Sequence, residues 1–272
     1  MHQDRLTYER INALDIWQQM EPISLERMSD VRLMNRIDTK YVLSEAEVLR
    51  LLTMAMAEGY LVQRIGNCHA QRYDTLYYDT TERDMYLVHH NQQLTRQKIR
   101  TRTYVDNNQS FLEIKNKSNR GRTCKQRCTI ARANFHNFSG EAEAMSLFKE
   151  LAHYTIDDLS PALSTRFVRI TLVNAALTER LTIDLDLQYT DARSGRQASI
   201  PSMAIVELKQ DGLYSSTMKR LLRDMRIPPL KVSKYCLGTM LTVEGTKNNR
   251  FKEKLRTIEK RLGISHNEAT MY

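Results

Sequence analysis

The chain has 272 residues, 41% of them hydrophobic, with 41 Lys and Arg against 32 Asp and Glu, a formal net charge of +9. That is enough apolar material for a core, and the cation excess points to an anionic partner: nucleic acid, a membrane surface or phosphorylated small molecules. No apolar run reaches transmembrane length and no signal peptide opens the chain; Cys68, Cys124, Cys128 and Cys236 form no Cys-x-x-Cys pair, so neither a zinc knuckle nor a redox couple is indicated and a reducing cytoplasm is expected.

In chain order, the apolar spacing of Leu6, Ile11, Leu14 and Trp17 predicts a short helix within Leu6–Met20. Arg36–Leu43 reads as a strand. Ser44 and Glu47 form a capping box that opens a helix to about Ala57, with Gly59 as its stop. Strands are expected at Gln71–Asp79, Tyr86–His89, Leu94–Val105, Ser110–Lys117 and Gln126–Ala131, with Asp106-Asn107-Asn108 as a hairpin connection. A helix follows at Glu141–Tyr154, then strands at Leu163–Val173, Leu181–Tyr189 and Met203–Lys209. A basic helix begins at Ser215 or Ser216 and ends before Pro228-Pro229. Further helices are expected at Lys234–Thr242 and Asn248–Leu262. There is no 20–50-residue repeat, no linker and no steady strand–helix alternation, so the expectation is one α+β domain with a mostly antiparallel sheet.

The strand faces carry the functional signal. Arg96, Lys98, Arg100 and Arg102 alternate along one strand and so share a face. Neighbours there sit about 6.5 Å apart and repel by about 2.5 kcal/mol at an effective dielectric of about 20. Glu113, Lys115 and Lys117 oppose Leu112 and Ile114; Arg36, Asp38 and Lys40 share a face; Glu207 and Lys209 oppose Val206 and Leu208. Leu181, Ile183, Leu185 and Leu187 are expected together, opposite Asp184 and Asp186. This pattern fits a sheet with one solvated face, and it also fits a barrel with a charged lumen and helices outside. The near absence of Ser, Asn and Gln on the charged faces, and the few carboxylates among many cations, favour the lumen. The basic helix (Lys219, Arg220, Arg223, Arg226) is either a solvated face or an entrance that steers anions.

Arg forks and Lys point charges grip phosphate, and a few carboxylates suffice for Mg²⁺ or Mn²⁺ bridging phosphate oxygens. Phosphoryl transfer then needs positioning, metal and cationic charge more than covalent chemistry. Gly-x-x-x-x-Gly-Lys, a dinucleotide loop and Gly-x-Ser-x-Gly are all absent. His89 and His90 are adjacent, would point opposite ways on a strand, and so would not ligate one metal.

Six segments in order resemble the VTC (vacuolar transporter chaperone) domain, the polyphosphate polymerase domain of the triphosphate tunnel metalloenzyme superfamily. They are Arg36-Ile37-Asp38-Thr39-Lys40-Tyr41, Tyr77-Tyr78-Asp79-Thr80, Arg96–Arg102, Leu112–Lys115, Val206–Lys209 and Lys231–Tyr235, spanning about Asp30 to Glu244. The resemblance implies an antiparallel tunnel barrel that transfers the ATP γ-phosphate onto a growing polyphosphate chain with a divalent metal, Mn or Mg. It implies a core at about 30–244, with a helical extension at 1–29 and a polar C-terminal helix at 245–272. Lys40, Arg100, Arg102, Lys115 and Lys234 are the expected catalytic cations. Arg36, Lys98, Lys117, Lys125, Arg169, Arg180, Lys209 and Ser233 are expected to bind phosphate, and Glu207 to hold the metal. Arg166 rivals Arg169, since the two face opposite ways on a strand.

There are departures. The Glu-x-Glu-x-Lys strand of hydrolytic members is replaced by Arg36-x-Asp38-x-Lys40, which favours the polymerase branch. No regulatory domain or membrane partner flanks the motif, so a soluble enzyme is expected. Expected partners are ATP, polyphosphate, pyrophosphate or triphosphate, without nucleic acid, whose binders usually present aromatics for stacking. The alternatives are a tunnel phosphohydrolase acting on triphosphate or short polyphosphate, and a non-catalytic polyphosphate-binding module.

Overall fold

The period-two alternation becomes a sheet with two unlike faces in the computed structural model, which describes residues 5–28, 36–120 and 123–265. The elements are α1 (Tyr8–Asn12), a 3-10 turn (Asp15–Gln18), β1 (Pro22–Ile23), α2 (Leu25–Met28), β2 (Arg36–Ser44), α3 (Glu45–Ala57), β3 (Leu61–Gln63), β4 (Ala70–Asp79), α4 (Asp84–His90) and β5 (Arg96–Tyr104). Next come β6 (Gln109–Lys117), β7 (Thr123–Ile130), α5 (Ala142–Leu151), β8 (Ser160–Val173), β9 (Glu179–Asp191), β10 (Gln197–Ser199), β11 (Met203–Asp211), α6 (Thr217–Asp224), α7 (Lys234–Thr242) and α8 (Asn249–Leu262). Parts of the expected termini and of the start of the core, residues 1–4, 29–35 and 266–272, lie outside the described residues.

The class is α+β. Among the described residues eight antiparallel strands run in the order β2-β11-β9-β8-β4-β5-β6-β7, with β10 on β9, β3 on β8 and the short β1 parallel to β3. Side chains from all eight line one cavity, so the sheet wraps around it. It is not a closed barrel: β2 and β7 are its edges, and among the described residues no ladder joins them. Both edges are cationic (Arg36 and Lys40; Lys125 and Arg127), and like charges at ladder spacing repel. Register shifts at Tyr77/Tyr78 and Arg166/Val168 provide bends.

The outer face is apolar and covered. Leu181, Ile183, Leu185, Val206 and Leu208 pack with α3 and α6, while Ile99, Leu112 and Ile114 pack with α5. One end of the concave face is also apolar. Val42 and Ile205, in step with Lys40 and Glu207, join Leu187 and Tyr189 beneath α7 and α8. Helix α7 thus covers that end over β8 and β9. It comes close because residue 238 is glycine: a Cβ there would lie 2.5 Å from Tyr189 Cδ1.

Three stretches depart from expectation. Residues 86–89 are helical, not a strand, because the buried Asp79 carboxylate accepts the Met85 and Tyr86 N–H groups at 2.9 and 3.0 Å and so holds the first turn of α4. His89 and His90 therefore sit on a helix. Leu187 leaves the face of Leu181, Ile183 and Leu185, since Asp186 takes a left-handed φ of 48° and reverses the alternation. The helix expected across Leu6–Met20 breaks into α1 and a 3-10 turn. By contrast the Ser44–Glu47 capping box forms with both of its hydrogen bonds, and Asn108 closes the β5–β6 connection in the left-handed region.

Candidate active site

The cavity has a volume of about 630 Å³ and among the described residues is lined by twelve Lys or Arg side chains and three carboxylates, Asp38, Glu113 and Glu207. Strand register determines how these charges meet. On the β2–β11–β9 side the rungs are mixed: Asp38 opposes Lys209, which opposes Arg180, and Lys40 opposes Glu207. On the β5–β6–β7 side, Lys98 opposes Lys115, which opposes Lys125. Three lysines thus share one rung, an arrangement unfavourable without an anion between them.

Two buried carboxylates hold the arginines. Glu113, 1% exposed, accepts from Arg100 Nε at 2.7 Å and from Lys125 Nζ at 2.5 Å, with Arg102 Nη1 at 3.9 Å. Burial opposes its ionisation, but Arg100, Arg102 and Lys125 hold it well below the usual carboxylate range. Asp184 takes Arg169 Nε at 2.5 Å and Nη2 at 2.8 Å and also receives Lys234 Nζ. Against burial, Arg169 and Lys234 hold it low as well. These pairs fix the guanidinium planes and leave other donors free.

The lysines feel one another. Burial pushes Lys125 and Lys234 down to about 8, with Glu113 and Asp184 respectively pulling back. Lys98 is lowered by burial, and Lys115 by desolvation and then by Lys40. The Lys115 ammonium makes no hydrogen bond or ion pair with any described residue. Lys98 donates to Ser233 Oγ at 3.0 Å. Ser233 also caps α7, so the positive end of that helix and Lys234 both face the cavity. Tyr77, receiving Arg100 Nη1 at 3.2 Å, is lowered to about 8: burial raises it, but Arg100, Lys98 and Arg102 outweigh burial.

Thirteen of the fourteen expected site residues line this cavity: Arg36, Lys40, Lys98, Arg100, Arg102, Lys115, Lys125, Arg169, Arg180, Glu207, Lys209, Ser233 and Lys234. Lys117 lines an adjoining one. Arg169 points inward; its rival Arg166 is 71% exposed beside Asp74. Arg180 has a buried Nε without a partner. Glu207 pairs with Lys209 at 2.7 Å and, although burial raises it, Lys40 and Lys209 hold it low. Among the described residues no group of three or more His, Cys, Asp or Glu could hold a metal. Glu207, with Asp38 diagonal to it on β2, nonetheless fits an ion that takes one or two carboxylates and completes its shell from substrate phosphates and water.

The entrance role for the basic helix is not supported. Helix α6 packs its apolar side on the outer core, Arg220 pairs with Glu58 at 2.8 Å, and none of its cations lines the cavity. Residues the sequence reading left without a role are Asp184, Glu113, Tyr77 and Arg127. A signal existed: Glu113 keeps step with Lys115, and Asp184 with Arg180. Aromatic rings also run across the lumen, with Phe167–Tyr73, Tyr73–Tyr104 and Tyr104–Phe111 centroids at 5.1, 5.0 and 5.5 Å. They carry Arg102 and Arg169 on Tyr73 and Arg127 on Phe111.

A curled antiparallel sheet with a cation-lined lumen defines a tunnel suited to a chain of phosphates. The chain belongs to the VTC domain family, whose pattern it matches over residues 35–243. None of the curated proteins compared matches it. Among solved structures it is similar to a proposed adenylyl cyclase from Hippeastrum described as having a dominant triphosphatase activity. That match has 16% identity and a TM-score of 0.49, covering 77% of this chain and 98% of that one. It is also similar to a proposed adenylate cyclase from Vibrio parahaemolyticus, with 11% identity, a TM-score of 0.44 and coverage of 74% and 96%. A Pyrococcus horikoshii protein matches at 13% identity and a TM-score of 0.42, covering 76% and 98%. Among the described residues no helix is long and apolar enough to cross a membrane.

Proposed function

We propose that the tunnel transfers the γ-phosphoryl group of ATP to the end of a polyphosphate chain. The observation that carries this reading is the rung Lys98–Lys115–Lys125, in which Lys125 meets Glu113 but Lys98 and Lys115 meet no carboxylate among the described residues, flanked by guanidinium groups that Glu113 and Asp184 hold in place. Twelve cations are more than one triphosphate needs, so an acceptor chain has ligands too. A terminal phosphate oxygen of the acceptor attacks the γ-phosphorus, the bond to the β–γ bridging oxygen breaks, and the nucleoside diphosphate leaves with that electron pair. No protein nucleophile takes part. Arg100, Arg102, Lys115 and Lys40 neutralise the equatorial oxygens, while Lys234 and Arg169, pinned by Asp184, hold donor and acceptor in line. Glu207, with Asp38 near it, would hold Mg²⁺ or Mn²⁺, which supplies charge neutralisation when bound. Four free thiols suit a cytoplasmic setting.

A second reading, hydrolysis of triphosphate or short polyphosphate, is favoured by one feature: the open side between β2 and β7, where Lys125 is 43% exposed, admits water. Labelled γ-phosphate separates the two. Incubation with metal and a short primer is expected to put label into a polyphosphate ladder, and Glu207→Gln to abolish that transfer while polyphosphate still binds. Label recovered only as orthophosphate would establish the hydrolase; metal-dependent transfer unchanged in Glu207→Gln would remove the metal assignment.

A further inference from the structure

A second cavity, of about 1220 Å³, continues the first. The two share Arg36, Asp38, Lys40, Lys98, Lys115 and Ser233, so Lys40, Lys98 and Lys115 form the passage between them. Beyond the passage the walls change owner. Arg96 and Lys117 stand one period-two step outward on β5 and β6, Lys231 precedes α7, and Arg250 and Lys254 come from α8. Helix α8 lies beyond the segment 35–243 that matches the family.

These five cations differ from those of the first cavity, where Arg100, Lys125, Arg169, Lys209 and Lys234 each pair with a carboxylate. Arg96, Lys117, Lys231, Arg250 and Lys254 make no ion pair with a described residue. Among the described residues the only carboxylate lining the second cavity is Asp38, already held by Arg36 at 2.7 Å. Arg250 and Lys254 are four apart, where like charges weaken a helix. Arg96 opposes Lys117 directly across the β5–β6 ladder, a second unfavourable pair. The helix is nevertheless firmly placed: Phe251, Leu255 and Ile258 are buried, Arg261 reaches Glu47 at 3.3 Å, and the Arg250 N–H donates to His90 Nε2 at 3.4 Å. His89, inside the same wall, is pushed down to about 2 by burial and then by Lys98, Arg96 and Lys254, and so stays neutral within the cation field.

We propose that α8 and the outer ends of β5 and β6 form a holding chamber for the distal phosphates of a long polyphosphate chain, reached from the first cavity through the Lys40–Lys98–Lys115 passage. The identity of the ligand rests on the polyphosphate reading above. The chamber itself rests on unpaired cations gathered around a cavity continuous with that site. A linear polyanion satisfies both cavities at once, whereas a triphosphate fills only the first. The chamber therefore gives affinity that grows with chain length and keeps the product attached between transfers.

The test is equilibrium binding to the full chain, without turnover, of inorganic tripolyphosphate and of polyphosphate about one hundred units long. Arg250→Gln with Lys254→Gln is expected to weaken the long chain about tenfold, to shrink the salt dependence of its binding and to leave tripolyphosphate unchanged. Lys231→Gln, which lies outside α8, should act in the same direction, so a misfolded helix cannot mimic the result. Equal losses for both ligands, or no loss for either, would overturn the chamber. A wild-type protein that binds tripolyphosphate no more weakly than the long chain would also overturn it. Failure of the wild type to bind either phosphate would instead overturn the polyphosphate reading, and tighter binding of a single-stranded oligonucleotide would overturn the ligand assignment.

Discussion

Glu113 is the charge on which the cation cluster depends, and Glu113→Gln isolates it. The carboxylate is 1% exposed and meets Arg100 at 2.7 Å and Lys125 at 2.5 Å, with Arg102 at 3.9 Å. At about 3 Å and an effective dielectric of about 20, each close contact is worth about 5 kcal/mol of Coulomb energy before desolvation is subtracted. Breaking a buried pair from one side costs about 3–5 kcal/mol. Arg100 and Lys125 are 21% and 43% exposed and can turn toward water in the cavity, so the lower end, about 3 kcal/mol, is expected. For a chain of this size that is a fall in Tm of about 6–12 °C. Tripolyphosphate restores negative charge among the same cations. It should therefore stabilise Glu113→Gln more than the parent, by melting at saturating ligand compared with none. A loss under about 0.5 kcal/mol, or equal ligand stabilisation of the two proteins, would refute the idea that Glu113 balances this cluster.

Gly238→Ala should destabilise by about 1–3 kcal/mol, because its Cβ would press on Tyr189 and Leu163 and lift α7 with Lys234; an unchanged melting curve would show that α7 has slack. Lys125 and Lys234, both lowered to about 8 from 10.5, predict opposite trends above that pH. Tripolyphosphate affinity should fall as these ammonium groups deprotonate. The anion-free fold should gain stability between about pH 8 and 10, since the unfolded chain then holds more protons. Calorimetric titration and melting across this range check both, and an affinity that stays flat would show that neither lysine meets the phosphates.

The strand faces were legible because alternation is local: whatever the rest of the chain does, Arg96, Lys98, Arg100 and Arg102 must share a side of an extended strand. Hence the cations, the apolar outer face, the capping box at Ser44 and helix Lys234–Thr242 all follow from the amino-acid order. The six-segment resemblance similarly led to the family. What required the fold is everything that depends on residues far apart meeting. Tyr86–His89, three apolar residues and a histidine, suits strand or helix. Asp79, brought up on β4 and holding the N–H groups of Met85 and Tyr86, selects the helix. The left-handed turn at Asp186 moves Leu187 to the other face, and no alternation rule foresees such a reversal. Ladder register alone decides that Lys98, Lys115 and Lys125 share a rung while Lys40 meets Glu207, which makes one side of the lumen short of negative charge and the other nearly balanced. Asp184 reaches Lys234 across 50 residues of chain, and α8 reaches the chamber from beyond the family segment. Side-chain direction is set by neighbours one and two residues away, but charge balance is set by neighbours in space, and only the tertiary structure supplies those.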